Sequence, residues 1–314
     1  MAGWPAPADA VTPLPAVSVI VPTMALPVRA GLIRRALESV LSQEGVRPIP
    51  VVVVNGAGFD PGLVAELEQD PRIRLVRRAE AGLPEALAAG LGAVDTEWVS
   101  ALDDDDRLLP GALARRVAEF AGDPTLDVVV TGGLRSVAGI EELHRVDAEA
   151  VTRDPVRAFF ERPWLLPGSW LARTAAVQPW LFDGMARHLE CAFLALRFGT
   201  QCRMRYLAEP TVVWHLDSPE SASRSPGYGA GQYDAVRALR RLPLPPEAQR
   251  RLAVHARLAA HQASGVALRR GELREAWRLH FLTLRSRGGW RHLPYARHLL
   301  AATLARSVVR GRDG

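Results

Sequence analysis

Two short runs of β-branched residues, Val17-Ser-Val-Ile-Val21 and Val51-Val-Val-Val54, lie some thirty residues apart in this chain. Between them Leu32, Ile33, Ala36, Leu37, Val40 and Leu41 recur at helical spacing. A run of four apolar residues with no polar alternation cannot lie half in water. It needs apolar partners on both faces, which parallel strands in βαβ units obtain from their crossover helices. The pattern repeats as a helix near Pro61–Gln69, a strand at Ile73–Val76, a helix from about Pro84 to Val94 and a strand at Trp98–Leu102. A helix over Pro110–Phe120, with Pro110 near its first turn, and a strand at Asp127–Thr131 close this half. The prediction is an α/β fold with an open, mostly parallel sheet flanked by helices over residues 17–132.

Residues 133–230 are less regular. Strands are expected at Ser169–Ala172 and Thr211–His215, with a helix around Leu189–Phe198. The Ser-, Pro- and Gly-rich stretch Ser218 to Gly231 reads as a mobile loop. Residues 231–314 read as a basic, helical C-terminal extension. There Leu273, Trp277, Phe281 and Leu284 form one apolar face, with Arg274, Arg278 and Arg285 off it. Pro294 interrupts before a last helix carrying Leu300, Leu304 and Val308. Residues 1–16, rich in Pro and Ala, read as a flexible lead-in.

With 48% apolar residues among 314, the chain can build a core, which excludes general disorder. Cys191 and Cys202 are too few to staple a fold of this size, so a reducing cytoplasm is expected rather than a disulfide scaffold. The uncharged stretch Ala10 to Val28 holds Pro13, Pro15, Pro22 and Pro27, too many lost helical hydrogen bonds for a membrane span or signal peptide. All 39 basic residues are arginine. Residues 246–314 hold 14 of them against four acids, about +10, while the whole chain is +5. An acidic body therefore carries a basic tail. That tail suits either packing against the body or peripheral contact with the anionic inner face of a membrane. No aromatic stacking platform accompanies it, so nucleic acid is not expected as a partner.

The strongest chemical signal is Asp103-Asp104-Asp105-Asp106, directly after the strand at Trp98–Leu102. Ligands of open α/β sheets bind beyond the carboxyl ends of the strands. Adjacent carboxylates repel one another unless a cation neutralises them, and hard oxygen donors suit Mg²⁺ or Mn²⁺. The other reading is a solvated acidic turn ahead of the next helix.

Together, Val17-Ser-Val-Ile-Val-Pro-Thr23, the Val-rich second strand and Trp98-Val-Ser-Ala-Leu-Asp-Asp-Asp-Asp-Arg-Leu-Leu-Pro110 resemble a family 2 glycosyltransferase of GT-A fold. The resemblance covers about residues 17–216. It implies a glycosyltransferase that moves a sugar from a nucleoside-diphosphate sugar (UDP-, GDP- or dTDP-linked) to an acceptor hydroxyl, metal-dependent and inverting. It implies that Asp105 is the direct Mn²⁺ or Mg²⁺ ligand, with Asp103 in the metal shell and toward the nucleotide. Asp104 belongs to the same nucleotide side, and Asp106 is expected nearer the transferred sugar. Pro22 and Thr23 line the nucleotide pocket, and His215 completes the metal shell or touches the diphosphate.

Leu189-Glu-Cys-Ala-Phe-Leu-Ala-Leu-Arg197 is similar to the family's Glu-Asp helix start, with Cys191 where the family usually has its Asp base. A thiol titrating near ~8.5 is a poor substitute, and Glu190 can take the role if it reaches the acceptor. Otherwise Glu190 is a helix-N-terminal glutamate favoured by the helix dipole. Asn55 stands for a base- or ribose-reading acid, and Leu87 for the Arg of the family's Ala-Arg-Asn. Trp170 falls on the acceptor side or packs in the core. These departures keep an alternative open: a catalytically impaired GT-A-like binding or scaffold protein. Nucleotidyl transfer shares the metal logic but lacks its glycine-rich phosphate loop here. Nothing in the chain names the acceptor.

Overall fold

The computed structural model describes residues 13–219 and 228–310. Its first half alternates β1 (Ala16–Thr23), α1 (Ala30–Leu41), β2 (Arg47–Asn55), α2 (Pro61–Gln69), β3 (Arg74–Arg78), α3 (Leu83–Gly92) and β4 (Trp98–Ala101). A two-residue strand, β5 (Arg107–Leu108), precedes α4 (Ala112–Gly122) and the long β6 (Val128–Val137), which turns back through β7 (Ile140–Leu143). Then follow α5 (Ala148–Arg153), α6 (Pro155–Glu161), β8 (Trp170–Arg173), α7 (Thr174–Val177), α8 (Glu190–Gln201) and β9 (Met204–His215). The extension contains α9 (Tyr228–Leu239), α10 (Pro246–Arg269), α11 (Leu273–Arg285), a 3-10 stretch at Gly289–Tyr295 and α12 (Ala296–Arg310).

The strands join one sheet in the order β3-β2-β1-β4-β8-β6-β9-β5, with β7 paired to β6. The expected parallel sheet is its first half, where β3, β2, β1 and β4 run together. The second half is mixed: β8 is antiparallel to β4 and β6, and β5 to β9, while β6 and β9 are parallel. The unbroken valine runs are explained by two cores on opposite faces. Ile20, Val51 and Val53 pack with Leu87, Leu91, Phe193 and Phe198 on one side. Val19, Val21, Val52 and Val54 pack with Ile33, Leu37, Leu63 and Leu113 on the other. Successive strand residues point to opposite faces, so both sets must be apolar. Gly90 lets α3 lie close on β1, since a Cβ there would run into the side chains of Ile20 and Val53.

Several expectations change. Pro110 lies outside α4, because Gly111 in the left-handed region (φ 73°) begins the helix after it. Tyr228–Gly231 are helical rather than loop, and residues 220–227 of that expected loop lie outside the described residues, as do residues 1–12 of the lead-in. In α11 the buried face is Ala276, Leu279, His280 and Thr283, while Phe281 is 52% exposed. The predicted stripe is only half inward: Leu273, Trp277 and Leu284 are half-buried, and α10 meets the Ala276 side instead, with Ala267 packed on it and Ser264 Oγ donating to Ala276 O at 2.7 Å. In α12 the inward residue is Leu299, whereas Leu300 and Leu304 are exposed. Among the described residues no helix is long and apolar enough to cross a membrane.

His280 is fully buried and neither ring nitrogen has a hydrogen-bond partner. Burial, with repulsion from His292, holds its pKa down, and burial does the same for His261 beside it. The unfolded ring accepts a proton near its ordinary ~6.5, whereas the folded ring resists until lower pH. Stability of this region is therefore expected to be lost as pH falls below ~6.5. Hydrogen exchange of the α11 amides at pH 7.5 and 5.5 checks this. His280→Leu should flatten the dependence, and an unchanged slope would assign it elsewhere.

Candidate active site

The site lies at the carboxyl ends of β1 and β4. Their parallel register pairs Ile20 with Ala101, and continuing it by three residues sets Thr23 beside Asp104. Thr23 Oγ1 donates to Asp104 Oδ2 at 2.6 Å. The chain then turns through Asp103–Asp106, with Asp106 N–H donating to Asp103 O at 3.1 Å, into β5. In the antiparallel β5–β9 pair Arg107 faces Val213, so residue 215 comes level with residue 105. His215 N–H accordingly donates to Asp106 Oδ1 at 2.8 Å.

The four aspartates divide by function of position. Asp104 turns inward, where Arg29 grips both its oxygens, Nε to Oδ2 at 3.2 Å and Nη2 to Oδ1. Asp103, Asp105 and Asp106 turn together, and one oxygen from each lies within 4.8 Å of the others. Asp106, expected nearer the transferred sugar, is fully buried within this triad. Burial and the neighbouring acids push the Asp103 and Asp106 carboxyls well above the usual carboxylate range.

The residues present fit a divalent cation. Asp106 Oδ2 and His215 Nδ1 are both buried with no hydrogen-bond partner, and His215 Nδ1 lies 3.7 Å from Asp106 Oδ1. Buried polar atoms are almost always satisfied, so two unpartnered ones beside a carboxylate triad suit a bound cation. Burial and the nearby Arg35 and Arg107 charges lower the His215 pKa, which keeps its imidazole neutral, the form that ligates metal.

Pro22 is buried at the end of β1. Asn55 ends β2 with both ends of its amide engaged: Nδ2 donates to Thr23 O at 2.9 Å and Oδ1 accepts from Gly82 N at 3.0 Å. It thus ties together the loops after β1 and before α3. Leu87 and Trp170 are core residues. Glu190 opens α8, its Oε1 accepting from His188 N at 2.9 Å, and burial raises its pKa. Its charge adds to those that raise the Asp103 carboxyl. Burial first, then the Asp103, Glu190 and Asp106 charges, push the Cys191 thiol well above its ordinary range, so it stays protonated.

Sequence reasoning missed two cations. Arg29 is 8% exposed and, besides Asp104, lies 3.2 Å from Asp105 Oδ2 and donates to Pro219 O at 2.7 Å. Arg35 of α1 donates to Asp105 O. Their signal was position: the loop after β1 and the first turns of α1 border the same sheet edge as the aspartates.

A mixed sheet covered on both faces, with an aspartate triad at the carboxyl ends of its central strands, is a GT-A-like fold. Residues 18–170, just under half of the chain, match the model of glycosyl transferase family 2. The chain is 41% identical over 114 residues to the succinoglycan biosynthesis protein ExoO of Rhizobium meliloti, covering 33% of this chain and 32% of that protein. It is 31% identical over 122 residues to the uncharacterized glycosyltransferase EpsJ of Bacillus subtilis, covering 38% and 34%. The chain thus spans about a third of the length of these curated relatives. In fold it is similar to S. aureus TarS in complex with UDP-GlcNAc, with TM-score 0.53 and 14% identity over 91% of this chain and 88% of that one. It is also similar to the mannosyltransferase PcManGT of Pyrobaculum calidifontis in complex with GDP-Man and Mn²⁺, with TM-score 0.52 and 21% identity over 95% and 90%.

Proposed function

We propose that this chain transfers a sugar from a nucleoside-diphosphate sugar to an acceptor hydroxyl, with inversion and with Mn²⁺ or Mg²⁺ at the aspartate triad. The observation that carries the reading is the pair of buried, unpartnered ligand atoms, Asp106 Oδ2 and His215 Nδ1, beside the carboxylates of Asp103 and Asp105. Asp103, Asp105 and His215 would hold the ion, and Asp106 would add its Oδ2 to the same shell while its Oδ1 orients His215 through the His215 backbone N–H. A bound divalent ion would neutralise charge developing on the departing diphosphate, a contribution of roughly several kcal/mol. Pro22, Thr23 and Asn55 shape the nucleotide side, and Asp104 fixes Thr23 there. Glu190 takes the acceptor's hydroxyl proton as that oxygen attacks the sugar's anomeric carbon. The bond to the diphosphate breaks and its electron pair leaves with the phosphate oxygen. A raised carboxyl pKa suits a base working near neutral pH.

The donor is a UDP-, GDP- or dTDP-sugar, in keeping with the UDP-GlcNAc and GDP-Man bound by the neighbours of this fold. The transfer domain is read as residues 17–230, and the arginine-rich 231–314 region as an extension touching the inner face of the membrane from the cytoplasm. Salt-sensitive flotation with anionic vesicles supports that contact, and equal flotation with neutral ones overturns it. Cys191 favours a second reading, a binding protein without turnover, because a protonated thiol cannot serve as base. A thermal-shift screen of nucleotide sugars with and without Mn²⁺ separates the two when followed by donor hydrolysis. The enzyme reading expects a metal-dependent shift and turnover, both lost in Asp105→Ala. Binding without hydrolysis selects the second reading, and no metal-dependent binding defeats both.

A further inference from the structure

The backbone leading into α8 is strained at one residue. Among the described residues, Ala25, Ala138 and His188 are the non-glycine residues with positive φ. Ala138 turns the β6–β7 hairpin beside Gly139. Ala25 lies in the loop after β1, where its N–H donates to Thr23 Oγ1 at 2.9 Å. His188, at φ 82°, turns no hairpin. Its N–H donates at 2.9 Å to Oε1 of Glu190, two residues ahead. An L-residue keeps this conformation only where its surroundings over-determine it, and such residues gather at functional sites. We propose that His188 is a positioning residue for the transfer step, holding Glu190 as the base, and that Gly231 of α9 locks His188 in place.

The inference rests on the reading of Glu190 as the base. A carboxylate fixed at one oxygen presents the other in a single orientation, so less rotamer freedom is lost at the moment of reaction. A helix cap alone would not need a strained residue, because Ser, Thr, Asp or Asn in extended backbone serves a helix start without strain. Two contacts hold the segment on either side. Arg187 donates through Nη2 to the carbonyl of Ala81, next to Gly82, whose N–H is bound by Asn55. That contact ties the segment to the loop before α3. On the other side the His188 ring meets the helical extension. A Cβ added to Gly231 would lie 2.6 Å from the imidazole Nε2 and closer still to its Cδ2. Only glycine leaves room for the ring there, so α9 acts as a stop behind it. The strained backbone that carries the ring then cannot relax in that direction. The extension, which supplies no residue of the aspartate triad, serves the reaction through this contact.

The test is a set of full-chain variants assayed for hydrolysis of UDP-GlcNAc and GDP-mannose with Mn²⁺, in which water stands in for the acceptor. Melting temperature and calorimetric binding of UDP and GDP are measured beside it. His188→Ala lets the backbone relax to negative φ, and should lower kcat by roughly tenfold with donor KM and nucleotide affinity unchanged. His188→Gly keeps both the N–H and the left-handed backbone, and should be faster than His188→Ala by at least about threefold. Gly231→Ala pushes the ring aside and should lower kcat by roughly fivefold. In the double variant His188→Gly, Gly231→Ala no ring remains to be struck, so the second substitution should cost less than about twofold. Equal kcat in the two His188 variants would overturn the inference. So would a Gly231→Ala loss that persists in the double variant, or losses carried by KM or by the folded fraction alone. The base reading fails separately. Glu190→Gln with native kcat removes it and this inference together, whereas an inactive Glu190→Gln beside an unaffected His188→Ala removes only the inference. Hydrolysis of neither donor by the native chain would overturn both.

Discussion

Asp106→Asn is expected to raise the unfolding midpoint of the metal-free protein, abolish its response to Mn²⁺ and lower sugar transfer by ~10³-fold. Asp106 is fully buried, and its Oδ2 has no partner. Burial, then the Asp105 charge, raises its carboxyl well above the ordinary value. The unfolded chain ionises that group more readily than the folded one, so at neutral pH the crowded charge costs the fold stability, and the cost fades as pH falls toward the carboxylate range. Asparagine removes the charge and keeps an oxygen for the His215 N–H, while its new NH₂ finds carboxylate oxygens of the triad within 4.8 Å. A gain of about 1–3 kcal/mol follows. Metal affinity and activity move the other way, because one ligand of the triad is lost. Denaturation at pH 7.5 and 4.5, with and without Mn²⁺, reads all of this. A lower midpoint for the metal-free variant, or an undiminished Mn²⁺ shift, would contradict the assignment.

Arg29→Met is expected to destabilise the protein by about 3–5 kcal/mol. The side chains of Arg29 and Asp104 are 10% and 7% exposed, so screening by water is slight. Without the guanidinium, the buried Asp104 carboxyl keeps the Thr23 hydroxyl as its one side-chain donor among the described residues. Its penalty is that of an unpaired ion rather than of one lost contact. The double variant Arg29→Met, Asp104→Leu removes both charges and should recover most of the loss. Urea denaturation of the native, two single and double forms gives the coupling energy directly. A double variant no more stable than Arg29→Met would show that the pair's value lies in the tether from Arg29 to Pro219 instead.

The parallel half of the sheet was legible because each strand there is a β-branched run and each crossover an amphipathic helix, both short-range patterns. In the mixed half β8, α8 and the end of β9 were legible as elements, but the pairing and full length of its strands were not. Gly132-Gly133 and Glu209-Pro210 read locally as breaks, yet β6 and β9 pass through them as one parallel pair whose register shifts at Gly132 and again before Leu134. A Cβ at Gly132 would strike the Ala208 carbonyl, so the glycine permits a close approach that its own neighbours do not announce. The two-residue β5 is too short for any periodicity, although it brings residue 215 level with residue 105.

By itself the order of residues determined the α/β class, the strand end on which the acids sit and the carboxylate chemistry of the triad, since these follow from apolar spacing and side-chain type. Only the tertiary structure decided which aspartate turns inward to Arg29, which three converge, and that Asp106 Oδ2 and His215 Nδ1 are left without partners. Those outcomes depend on distances between segments some 75 to 109 residues apart, set by the register and twist of a shared sheet. A local pattern carries no measure of such distances.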